Sequence, residues 1–166
     1  MMDGWKHILN QTEVWWSPLL AGPTSVNLKH HGIIYAMICA SGTLVIYSGY
    51  ANNGVVPVPN QPRTIPAIRL LDVLSQWGAL LTTSGRVAPS VMYRLFFEKM
   101  AEDGLHPFKT FVYWLAVRMF HPSISRIKEW YNQSDPALLV EETDKCPYPN
   151  HRIFGLLPTP TLHTHS

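Results

Sequence analysis

Twenty consecutive residues without a charge run from Gly32 to Ala51, reading Gly-Ile-Ile-Tyr-Ala-Met-Ile-Cys-Ala-Ser-Gly-Thr-Leu-Val-Ile-Tyr-Ser-Gly-Tyr-Ala. As a helix, at about 1.5 Å per residue, such a run reaches about 30 Å, the thickness of a hydrocarbon core. Lys29, His30 and His31 precede it, and Asn52, Asn53 and Gly54 follow. Tyr47 and Tyr50 lie near one end, where interfacial rings belong. The pattern therefore predicts a transmembrane helix over 31–51. Gly32, Ala36 and Ala40 recur every four residues, a small-residue stripe against which another helix could pack. A competing reading takes Ser41-Gly42 and Asn52-Asn53-Gly54 as turns. It divides 33–58 into a soluble β-meander with strands over 43–47 and 55–58. Uninterrupted length favours the helix.

Elsewhere the apolar positions recur mostly at helical spacing. Over 1–30, Asp3 can cap an interfacial amphipathic segment carrying Trp5, Ile8, Leu9, Trp15 and Trp16, broken by Pro18, Gly22 and Pro23. Residues 52–66 form a Pro-rich linker. The region 67–145 reads as a small helical part. Its first helix starts near Pro66 and carries Leu70, Val73, Leu74, Trp77, Leu80 and Leu81, with Ser84-Gly85 at its end. Pro89 opens the next, with Met92, Leu95, Phe96 and Met100 before the terminator Gly104. The third, over 107–120, is apolar on nearly every side. At about 20 Å it is too short to cross a bilayer, so it is expected to be buried or to lie on a membrane surface with Lys109 and Arg118 snorkelling. Ser123 and Asp135-Pro136 mark two further short helices. The second places Glu141 and Glu142 at the wrong end for the helix dipole. The tail, 146–166, contains four prolines and is expected to run extended across a neighbouring subunit, held by Tyr148, Ile153, Phe154, Leu156, Leu157 and Leu162. The resulting fold class is mainly α: a single transmembrane helix, a small amphipathic helical extramembrane part and an extended C-terminal tail.

Composition sharpens this picture. Charged residues make up 14% of the 166 residues, against roughly 25% in an average soluble protein, so much of the surface is expected to meet lipid or other proteins. A formal charge of +2 without a basic stripe argues against nucleic acid as a partner. No positive start leads into an apolar signal core, and no Arg-rich presequence is present, so any targeting information is expected to be internal. Cys39 lies inside the apolar run and Cys146 outside it. The helix reading therefore implies two free thiols.

Candidate chemistry is sparse. The dinucleotide fingerprint, phosphate loop, His-Glu-x-x-His, Cys-x-x-Cys and Gly-x-Ser-x-Gly are all missing. His30-His31, His151, His163 and His165 concentrate the polar groups, yet neighbouring histidines rarely converge on one metal. Glu141-Glu142 with Asp144 reads as a solvated acidic turn. Asn10-Gln-Thr12 and Asn132-Gln-Ser134 match the glycosylation pattern at a frequency chance supplies. No catalytic, cofactor-binding or metal-binding residue is assigned.

The sequence thus supports an expectation of a non-catalytic accessory subunit of a large mitochondrial inner-membrane complex, a respiratory-chain complex or ATP synthase, with other subunits and the lipid bilayer as partners. The compartment is chosen from the missing secretory signal, the expected free thiols and the frequency of small single-span accessory chains in respiratory complexes, and not from a motif. Two alternatives are a soluble binding module, built on the β reading of 33–58, and a membrane-anchored enzyme with an unrecognised site. Within 20 residues of the span, one Lys before it and two Arg after it leave its orientation unset.

Overall fold

The uncharged run after His31 folds as strands joined by tight turns and not as one helix. The computed structural model describes residues 7–52, 59, 61–120 and 136–146. Within the run lie β4 (Ile33–Ile38) and β5 (Thr43–Ile46). Three of its glycines take φ values a right-handed helix does not use: 77° at Gly32, 101° at Gly42 and 97° at Gly49. With His31 at 53° beside it, Gly32 forms the two-residue turn that leads into β4, matching the positive-φ turns that suit a twisted hairpin. At the other end of β4, the Cys39 amide donates to the Thr43 carbonyl at 2.8 Å and the Gly42 amide to the Cys39 carbonyl at 2.9 Å. This closes a three-residue loop with a left-handed glycine at its end. Ile33, Ile34, Ile38, Val45 and Ile46, stiff at χ1, suit the pleated surface between these turns.

The membrane helix over 31–51, and with it the single-span, mainly α fold class, is thereby corrected. No helix among the described residues is long and apolar enough to cross a membrane. What imitated a span is a pair of inner strands. A five-stranded antiparallel sheet has the order β2-β5-β4-β3-β7, with β2 spanning Glu13–Trp16, β3 Ser25–His30 and β7 Leu138–Thr143. All four residues of β5 are buried, as are Ala36, Met37 and Ile38 of β4. Strands covered on both faces lose their polar alternation and read as continuous apolar sequence.

The chain splits into two compact units, one of Ile8–Ala51 and Asp135–Ser166, the other of Met1–His7 and Asn52–Ser134. The first is the sheet unit. Its register aligns Val14, Val45, Met37 and Asn27 across β2, β5, β4 and β3, and Leu44, Ile38 and Val26 in an adjacent row on the opposite face. A slip of one residue would exchange these faces, so burial on both sides fixes the pairing. Over the described part of 1–30 the expected amphipathic helix is replaced by strands, β1 (His7–Ile8), which pairs with β6 (Ala51–Asn52), then β2 and β3, while Asp3 and Trp5 lie outside the described residues. Trp15 and Trp16 point to opposite sides of β2, and the Trp16 indole N–H donates to the Ser41 carbonyl at 2.9 Å. The short helix expected after Asp135-Pro136 is also a strand, since β7 pairs with β3 from Ser25↔Thr143 to His30↔Leu138. On a strand the two acids escape the unfavourable helix dipole, and Glu141 reaches the Lys29 ammonium at 2.7 Å.

The two thiols expected to be free are joined. Cys39, at the end of β4, and Cys146, just beyond β7, form a disulfide with a Cα–Cα distance of 5.8 Å. Cys39 packs with Met37 and Val45 in a buried cluster flanked by Val14, Tyr47 and Cys146. The bond lies 107 residues apart in sequence, so it ties the late strand β7 to a sheet otherwise built from the first third of the chain.

The second unit is helical and follows the spacing read from the sequence. It contains α1 (Ile65–Gln76), α2 (Gly78–Thr83), α3 (Pro89–Glu102) and α4 (Pro107–Phe120). Trp77, at the break between α1 and α2, is completely buried, with Leu70, Val73, Leu74, Leu81, Leu95 and Phe96. Leu80, expected among them, is half-buried. The tail contacts from Tyr148 to Leu162, the helix starting at Ser123, the alternative strand over 55–58 and linker positions 53–58 and 60 lie outside the described residues.

Candidate interaction surface

Pro107 fixes φ at the first helical position of α4, where its missing N–H costs nothing. The His106 ring accepts the Phe108 amide at Nδ1, at 3.1 Å, and so satisfies one of the free donors of the first turn. Thr110 is buried and its hydroxyl donates back to the His106 carbonyl at 3.1 Å. At the other side of the preceding turn, Arg63 Nη1 donates to the Gly104 carbonyl at 2.9 Å, where Gly104 takes a φ of 86°. These contacts set the start of α4 against the rest of its unit.

One side of α4 packs inward. Thr110 and Val117 are buried, and Trp114 meets Phe97 of α3 edge-on, with ring centroids 5.9 Å apart. Burial pushes the phenol of Tyr93, also on α3, above its ordinary value, and the charge of Arg118 opposes the rise. The other side carries Phe108, 69% exposed, Phe111, Val112, Leu115 and Met119, 65% exposed. Their spacing is that of a single helical stripe. Of the two expectations for 107–120, burial or a membrane surface, burial is corrected for this face. The helix is apolar all round, but its unit covers only half of it.

Charge flanks the stripe. Projected at about 100° per residue, Lys109 falls on one side of it and Arg118 on the other. Both residues are exposed. The Arg118 guanidinium lies 5.2 Å from the centre of the Trp114 ring, a cation–π contact that holds it beside the stripe. No Asp or Glu occurs from Leu105 to Phe120.

Among the described residues the polar candidates do not assemble into a reactive centre. His30 and His31 stack at the β3–β4 turn with centroids 4.3 Å apart, and no group of three or more potential metal ligands occurs among the described residues. His151, His163 and His165 lie outside the described residues. Glu141 pairs with Lys29, while Glu142 and Asp144 are exposed. Asn10 is exposed on the bend before β2, whereas Thr12 of the same glycosylation pattern is buried and accepts the Ser48 amide at 3.1 Å. Asn132 is outside the described residues. Shifted groups are scattered: burial raises Tyr47 after β5, lowers Arg86 between α2 and α3, and raises Asp103 at the end of α3 against the opposing pull of Lys99. Among the described residues, α4 carries five of the exposed large apolar side chains on one face. Compared with family models, curated proteins and solved structures, the chain matches none.

Proposed function

We propose that the chain is a non-catalytic accessory protein that docks through the outward face of α4 onto a membrane-associated assembly. The observation that carries this reading is the row of five large apolar side chains exposed along one face of α4. Scattered apolar residues are ordinary on protein surfaces, but a continuous stripe along one helix is a place where something else sits. The accessory role therefore no longer depends on a membrane-spanning segment.

The disulfide bears on location. Disulfides persist where the surroundings are oxidising. One ground for the mitochondrial inner membrane was a pair of free thiols, and that ground is removed. The inner membrane remains a proposal only for a face turned to an oxidising space.

The test is site-specific photocrosslinking of the full chain in its own cells. A photoreactive residue at Leu115 is expected to give discrete adducts, and one at the exposed Lys145 only background. Equal, diffuse labelling at both positions would sink the docking reading.

A further inference from the structure

We propose that the occupant of the α4 stripe is an anionic lipid surface, with the helix lying in the membrane plane. This rests on the docking reading above and names its partner.

Three features of α4 point to lipid. The first is the arrangement of charge: cations stand on both sides of the apolar stripe, at Lys109 and Arg118, and no acid stands on the helix. A helix sunk to its flanks in a bilayer boundary puts such cations at the level of the phosphates, while their methylene stems follow the apolar surface. The second is side-chain chemistry. Phe108, Phe111 and Met119 are bulky and face outward, and the half-buried Trp114 lies on the Arg118 flank, at the height where indole rings settle. The third is length. Fourteen residues reach about 21 Å, too short to span but enough to lie flat.

The same charges argue against a second copy as the occupant. Two α4 helices paired through this stripe would bring four cations to one seam, Lys109 and Arg118 from each copy. No acid on either helix would offset that charge. This holds for antiparallel and for parallel pairing. Phosphate headgroups supply the negative charge that neither arrangement contains.

The experiment is vesicle co-sedimentation of the disulfide-intact full chain. It uses phosphatidylcholine vesicles with and without about 30% phosphatidylserine, at low and at physiological salt. Two variants accompany it: F108S/M119S, at the two most exposed stripe positions, and Lys109→Glu. Thermal unfolding midpoints equal to wild type establish that both variants fold. Wild type is expected to bind the anionic vesicles, and less so as salt rises. F108S/M119S is expected to lose at least about tenfold in partitioning, and Lys109→Glu to lose most of the preference for anionic over neutral lipid.

Sedimentation that ignores lipid overturns the proposal. If Leu115 still crosslinks to a protein in that case, the docking reading stands and only the lipid assignment falls; if those adducts are missing too, both fall. A wild-type dimer that F108S/M119S abolishes would give the stripe to a second copy and equally overturn the lipid assignment.

Discussion

The sheet unit and the helical unit differ in how each closes its apolar surface. In the sheet unit, closure comes from residues distant in sequence: β7 is paired with β3, and a disulfide spans 107 residues. In the helical unit, consecutive helices pack on one another within a single stretch from Ile65 to Phe120. The sheet unit covers all four residues of β5, whereas the helical unit leaves half of α4 exposed. A unit assembled from neighbours has no later segment among the described residues to cover its last helix. The outward face of that helix is the surface on which the docking proposal rests.

Breaking the distant closure should have the largest effect. Cys146→Ser removes a crosslink whose loop-entropy contribution is about 4–5 kcal/mol for a loop of this length. Urea denaturation should register the loss, and amide exchange of β3 and β7 should accelerate more than that of α1. Protection of β7 equal to wild type would mean that strand pairing alone holds it.

The local closure is probed by Trp77→Ala, expected to cost about 3–5 kcal/mol because the indole is completely buried. Here exchange should accelerate in α1 and α2, with β4 and β5 affected less. If both units lost protection equally, the contrast between them would fail.

The smallest effect sharpens the account of the sheet alone. Gly42→Ala and Gly49→Ala both place a side chain at positive φ. At Gly42 the new methyl would also collide with the Ser17 carbonyl oxygen, while at Gly49 it meets open space. Thermal unfolding should show Gly42→Ala costing about 1–3 kcal/mol, and more than Gly49→Ala. Equal losses would mean that the backbone around Ser17 yields freely.

The two units were also unequally legible in the sequence. Leu70, Val73, Leu74 and Trp77 recur at helical spacing because one side of α1 is buried, and Ser84-Gly85, Pro89, Gly104 and Pro107 punctuate the helices that follow. The sheet was hidden by its own burial. Thr43, Leu44, Val45 and Ile46 are all covered, so β5 lacks the alternation that identifies a half-buried strand. The glycines at 32, 42 and 49 were the available signal, since membrane helices tolerate glycine but do not require it at turn spacing. Once a span was assumed, Cys39 was placed in lipid and its bond to Cys146 excluded. The α4 stripe was half legible. The spacing of Phe108, Phe111, Leu115 and Met119 was present, but Tyr113, Trp114 and Val117 fill the other side with similar residues. Only packing on α3 separates the inner set from the outer one.

The long disulfide also sets a schedule during synthesis. Cys39 leaves the ribosome 107 residues ahead of its partner, an interval of roughly 5–20 s at typical translation rates. Throughout that interval β3 presents a bare hydrogen-bonding edge, and the sulfur beside it is a thiol open to other partners. Bare edges of this kind invite pairing with foreign strands. The helical unit, whose last described helix ends at Phe120, emerges before β7 and can fold while the sheet waits. Oxidation supplied too early would therefore trap Cys39 on the wrong sulfur, and the yield of native protein depends on when the oxidant acts as much as on its strength.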